Sequence, residues 1–147
     1  ADALAAGADP AAAAAVARAT ADRIGSVFIV QAVDLARRGG RYGDTLDAAG
    51  EGVPVLSFVR GELAVVDTAR DGADAAATMA RFAMDWGTDL RVAIARADPA
   101  TDPIRSALEE RLRGCAQIDE IVHYTVGPSV AAHTGADTAG LFVYSRT

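Results

Sequence analysis

The sequence predicts an α/β (α+β) domain: a mixed, partly antiparallel sheet with helices packed on it. Three observations predict it. Short apolar runs alternate with capped, amphipathic segments along the 147 residues. Two successive runs, Val53 to Val59 and Glu62 to Val66, are separated only by Arg60-Gly61, a spacing that pairs neighbouring strands antiparallel. Hydrophobic residues make up 51% and charged residues 23%, an ordinary globular balance for a chain of one-domain length.

The elements follow in order. Asp9 is a good N-cap and Pro10 suits the first helical position, so an alanine-rich helix runs to about Arg23, with Gly25 as its stop. It carries few large apolar residues and is expected on a surface or against another domain. Val27 to Val30 reads as a buried strand. A brief helix through Val33 and Leu35 follows, ending at Gly39-Gly40 with Arg37 and Arg38 in its last turn and Arg41 just beyond. Tyr42 to Gly52 is polar and glycine-bearing, a loop or frayed helix. After the hairpin, Asp71 caps an amphipathic helix on which Ala75, Met79, Phe82, Ala83 and Trp86 share a face, and Gly87 ends it. Leu90 to Ala95 is a strand. Asp102-Pro103 opens a helix with Ile104, Ala107, Leu108 and Leu112 on one side and Gly114 at its end. Ile118 to Thr125 alternates as a strand. The tail is read as a polar, glycine-bearing loop followed by a last strand, Leu141 to Tyr144.

Charge and composition exclude several functions. The net charge is −6, and every basic residue apart from the two histidines is arginine. An acidic chain without a basic stripe is a poor nucleic-acid binder, since phosphate contacts dominate that affinity. Without lysine there is no Schiff-base or Walker-type chemistry. No apolar run approaches the roughly 20 residues that span a bilayer. The single cysteine, Cys115, fits a reducing cytoplasm. The first residues have neither a signal peptide nor an initiator methionine, as in a processed or truncated piece of something longer. No phosphate loop, dinucleotide fingerprint, zinc spacing or nucleophile elbow is present.

Two clusters remain. Arg37 to Arg41 (RRGGR) is ordinary helix-stop chemistry, and three guanidiniums around a tight turn equally make an anion or partner-docking surface. Val126 to Gly140 holds His133-Thr134-Gly135 between two strands. There a histidine and a hydroxyl could meet a ligand, or the histidine could be a satisfied loop residue. His123, on a strand beside core positions, reads as structural.

Together these clusters resemble the DegV family. FIVQAVDLARRGGRYG is similar to that family's strand and Arg-Gly-Gly-Arg turn, and GPSVAAHTGADTAGLFVY to its C-terminal His-Thr-Gly ending. The segments PVLSFVRGELAVVD and IDEIVHYTVG agree in order. The resemblance covers Ile24 to the end. It implies that residues 25–147 form the C-terminal lobe and that 1–24 hold the last helix of a missing first lobe.

DegV-like proteins are two-lobed carriers that bury a long-chain fatty acid and present its carboxylate to a separate fatty-acid kinase. The resemblance therefore implies a binding module with a fatty acid as ligand, no other cofactor and no chemistry of its own. His133, Thr134, Gly135 and Gly127 would lie at the head group, and Arg37, Arg38 and Arg41 at the mouth or the kinase dock. The main carboxylate ligands, serines and threonines of the first lobe, would be absent. A first lobe or self-association would complete the structure. The sequence departs from the family ending at Ala136-Asp137, where an acid approaches the carboxylate site, and in the short polar stretch Asp44 to Gly52. Two other readings stand beside this one. One is a substrate-binding subunit resembling that of dihydroxyacetone kinases, with His133 trapping a small carbonyl sugar. The other is a degenerate lobe kept for interaction or regulation.

Overall fold

Alternation along a strand sorts its side chains onto two faces, and each apolar face must be covered or left open. The computed structural model describes residues 2–38 and 50–146. Its elements are α1 (Asp2–Ala5), α2 (Pro10–Ala21), β1 (Ile24–Ile29), α3 (Val33–Arg38), β2 (Val53–Val59), β3 (Glu62–Ala69), α4 (Gly72–Met84), β4 (Leu90–Arg96), a 3-10 turn (Pro99–Thr101), α5 (Asp102–Leu112), β5 (Ile118–Thr125), α6 (Pro128–Thr134) and β6 (Ala139–Ser145). The described strands form one sheet in the order β3-β2-β1-β6-β4-β5. Only β4 and β5, joined through α5, run parallel; the other neighbours are antiparallel. The mixed sheet expected from the hairpin is present.

Local signals place the elements. The Asp9 carboxylate accepts from the N–H groups of Ala11 and Ala12, both at 2.9 Å, and Pro10 opens α2. Asp71 caps α4 by accepting from Asp74 N–H at 2.9 Å. Arg60 and Gly61 both have positive φ, the geometry of a two-residue turn whose twist matches paired strands. At the start of α5, Arg96 reaches both Asp102 carboxylate oxygens at 2.8 Å and Arg105 reaches one at 3.0 Å, tying the helix to the end of β4.

One face of the sheet is sealed. Val27 and Ile29 of β1, Val55 of β2, Leu90, Val92 and Ile94 of β4, and Leu141 and Val143 of β6 pack with Met79 and four alanines of α4 and with Leu108 and Leu112 of α5. Burying a side chain the size of Ile94 or Met79 contributes about 1.5–3 kcal/mol each. The alanines let α4 lie close to both the sheet and α5. α2 contributes no buried residue, as its composition predicts.

Two expectations are corrected. Gly25 does not stop the first helix: α2 ends at Ala21 and Gly25 lies inside β1. There the Trp86 ring occupies the space a Cβ would need, at 2.9 Å, while its Nε1 donates to the Arg23 carbonyl at 3.0 Å. The tail between β5 and β6 is not all loop, because Pro128–Thr134 forms the two-turn helix α6. Pro128 sits at its first position and Gly135 just past its end, the usual order of start and stop residues. The glycines after α3, Arg41 and most of the Tyr42 to Gly52 stretch lie outside the described residues.

Candidate functional site

The other sheet face is apolar but largely open. Strand pairing lays its residues out in rows. One row runs Leu56, Phe28, Gly140, Ala95, Tyr124 from β2 to β5, and the next runs Ser26, Phe142, Ala93, Val122. The middle of the first row is small and its flanks are aromatic, so it forms a trough. Gly140 is fixed there by strand approach: a Cβ would come within 2.5 Å of Phe28 Cβ and of the Val27 carbonyl oxygen. Two ring pairs wall the trough, Phe28 with Phe58 at 6.1 Å between centroids and Tyr124 with Phe142 at 6.0 Å. Many of these rings face solvent; Phe58 is 56% exposed and Phe142 44%.

α6 roofs one end of the trough. The resulting pocket of 520 Å³ is lined by Ser26, Phe28, Phe58, Ala95, Tyr124, Gly140 and Phe142 of the sheet together with Val126, Ser129, Val130, His133 and Thr134. Volume and lining are those of a small-molecule site: mostly apolar walls with a few polar groups. A second, shallower depression of 590 Å³ continues over Ile24, Ala93, Val122 and Tyr144 and shares Phe142 with the first.

The predicted residues fall unequally around this pocket. His133 is half-buried in the wall, and its ring has no hydrogen-bond partner among the described residues. It lies in the last turn of α6, not in a loop. Thr134 also lines the pocket, but its hydroxyl donates to the Val130 carbonyl at 3.2 Å, leaving it chiefly an acceptor toward a ligand. Gly135, with φ of 86°, closes α6 where a Cβ would sit 2.9 Å from Ala32 Cβ. That contact packs the end of α6 against the start of α3. Gly127 precedes α6 as its N-cap and does not line the pocket. Asp137 does not line it either; its backbone carbonyl accepts from Gln31 Nε2 at 3.4 Å.

In the last turn of α3, Arg38 Nε donates to the Asp34 carbonyl at 3.3 Å, and Arg37 lies 3.9 Å from the Asp34 carboxylate. Both are surface residues. Arg41 lies outside the described residues.

His123 lies on the sealed side of β5, where Nε2 meets Glu109 of α5 at 3.0 Å. The Glu109 carboxyl is held below the usual carboxylate range, first by its hydrogen bond from Arg113 and less by His123. This trio clamps the edge strand to α5 and touches no part of the pocket. Sequence reasoning did not find Phe28, Phe58, Tyr124 and Phe142. Their signal was an apolar strand position one step out of phase with the core. Burial pushes the Tyr124 phenol up to about 12, so it stays a neutral donor. Among the described residues no group of three or more His, Cys, Asp or Glu is arranged to hold a metal. No helix there is long and apolar enough to cross a membrane.

Comparison with known proteins gives the site a context. A family model described as "Uncharacterised protein, DegV family" matches residues 1–146. A DegV domain-containing protein of Streptomyces coelicolor is 32% identical over 123 residues, which is 81% of this chain and 44% of that protein. A Thermus thermophilus structure described as fatty acid binding of a DegV family protein aligns with a TM-score of 0.85 at 23% identity, covering 98% of this chain and 53% of the other. The Streptococcus pneumoniae Fatty Acid Kinase (Fak) B3 protein loaded with linoleic acid aligns with a TM-score of 0.83 at 15% identity, covering 99% and 53%. The chain thus spans about half the length of these relatives. With the family model matched over nearly every residue, a relative 32% identical over 81% of the chain, and the shared mixed sheet, this chain belongs to the DegV family.

Proposed function

We propose that this chain is one lobe of a fatty-acid carrier, a binding module that holds part of an acyl chain on its open sheet face and performs no chemistry itself. One observation carries the reading: a 520 Å³ pocket with aromatic and aliphatic walls and, at the α6 end, a histidine whose ring has no hydrogen-bond partner among the described residues. An acyl chain would lie along the trough, and its carboxylate would reach His133, with Thr134 and the end of α6 at Gly135 beside it. The solved relatives described as binding fatty acid support the ligand class. A triose would call for a small polar pocket, and this lining is mostly apolar.

On this reading residues 25–147 are the C-terminal lobe, and 1–24 carry the end of a preceding one. The exposed rings Phe58 and Phe142 belong to the surface that a first lobe, or another copy of the chain, would cover. Arg37, Arg38 and Arg41 would dock a fatty-acid kinase, steering encounter more than contributing lipid affinity. The name of the pneumococcal relative supports a kinase partner.

The test is mass spectrometry of a denatured extract of the purified protein, paired with NMR of the histidine rings. A co-purifying fatty acid is expected, and added oleate should move the His133 resonances while leaving those of His123 in place. His133→Ala should weaken oleate binding by about 1–3 kcal/mol, the scale of a lost hydrogen bond to a charged group. Bound oleate with unmoved His133 resonances would remove the head-group role. Failure to bind any fatty acid would remove the carrier reading.

A further inference from the structure

We propose that Ser26 forms a second polar point in this pocket and selects acyl chains bearing an oxygen substituent, a hydroxyl or keto group, several carbons from the carboxylate. The inference rests on the acyl-carrier reading and refines its ligand.

Ser26 sits in the middle of β1 and is only 8% exposed, yet it lines the pocket. Its hydroxyl has no hydrogen-bond partner among the described residues. Among those residues no side-chain nitrogen or oxygen is both sealed from the surface and unpartnered, so the Ser26 oxygen opens into the pocket space. The other buried hydroxyls there are already used. Thr134 donates to the Val130 carbonyl, and Thr138 donates to the Thr134 carbonyl at 3.0 Å. Ser26 is therefore a buried donor on an apolar floor, and no acceptor for its proton is present among the described residues.

Position decides what could receive it. Ser26 pairs with Phe142, one row away from the Phe28–Gly140 row and farther from the start of β6. Two residues along a strand cover about 7 Å. A carboxylate at His133 would lie at the α6 end, so the chain reaches Ser26 only after several methylene groups. A plain hydrocarbon passing there leaves the hydroxyl unmet and displaces any water that met it, which costs binding. A hydroxyl or keto oxygen at that depth restores the bond. Sites built to hydrogen-bond a substrate oxygen discriminate against the analogue lacking it more sharply than apolar pockets discriminate by size.

The test is a competition series on the intact protein, using stearate and hydroxystearates with the hydroxyl moved along the chain, each displacing a fluorescent fatty acid. Hydroxystearates within one window of positions should bind about fivefold tighter than those outside it, the yield of one neutral hydrogen bond. Ser26→Ala should erase that window, so that in the variant every hydroxystearate binds with the affinity of stearate in the same variant. A flat series in the wild type overturns the proposal, and this arm needs no variant to fold. A window that survives Ser26→Ala also overturns it. Equal weakening of stearate and every hydroxystearate in Ser26→Ala would put the hydroxyl at the carboxylate and overturn it too. If stearate binds without any window, only this proposal fails; if no member of the series binds, the carrier reading fails with it.

Discussion

The two faces of the sheet use the same alternation and reach opposite ends. On one, Ile94, Val92 and Leu141 meet α4 and α5 and are sealed. On the other, Phe58, Phe142 and Val122 are equally apolar and stand open, while α6 roofs one end of the trough and Val33 of α3 packs on Val30 and Leu56. Strand sequence creates two apolar faces, but helix supply decides which becomes core. The face with the sparser helix cover is the one that carries the pocket, so the main core and the pocket lie on opposite sides of one layer.

That division can be broken by mutation. Ile94→Ala, on the sealed side, should cost about 3 kcal/mol of stability by removing buried methylenes and leaving a cavity. Urea unfolding would show it, and a cost under about 1 kcal/mol would mean the sealed face is not the core. Gly140→Ala lies on the open side but should still cost about 2 kcal/mol, because its Cβ meets β1 backbone rather than the pocket. That is the exception expected where strand approach, not exposure, sets the price. Phe142→Ala should cost less than about 1 kcal/mol of stability, since the ring is already part-solvated, yet it should reduce fatty-acid binding by removing the floor shared by both depressions. Equal losses from Ile94→Ala and Phe142→Ala would collapse the distinction between the faces.

The smallest effect concerns acid. Hydrogen bonds from Arg70 hold the part-exposed Asp74 carboxyl at about 2. A depressed carboxylate pKa contributes stability above the unfolded value near 3.8, and that contribution is lost as pH falls toward 2. Solvent screening keeps it slight. Asp74→Asn should therefore narrow the gap between urea midpoints at pH 5 and pH 2.5, with little change in ligand binding. An unchanged gap would leave the acid limb to other carboxylates such as Glu109, which Arg113 and His123 also hold low.

Much of this was legible in the residues. Asp9-Pro10, Asp71 and Arg60-Gly61 placed two helix starts and the hairpin because capping and turn chemistry are local. The span Ile118–Thr125 followed from alternation alone. α6 was missed because PSVAAHT is only two turns long, carries no apolar stripe and is bounded by glycines, although Pro128 marked its start. His133 lies in the pocket wall, and its placement on a helix end depended on that missed element. Ser26 and the aromatic walls could not be assigned, since alternation reports two faces without saying which one the helices cover. Gly25 misled because a stop glycine and a glycine beneath a tryptophan ring look alike until Trp86 is in place.

The position of β6 has a consequence in time. It is the last of the described strands in the chain, yet it lies between β1 and β4 and alone joins the β3-β2-β1 half of the sheet to the β4-β5 half. Pairing Ile24 with Tyr144 closes a loop of almost the whole chain, and contacts so distant in sequence slow folding. During synthesis at about 5–20 residues per second the two half-sheets must wait, with unpaired edges at β1 and β4, until β6 emerges. The strand that carries Gly140 and Phe142 into the pocket is thus also the one that joins two open-edged half-sheets into a single sheet.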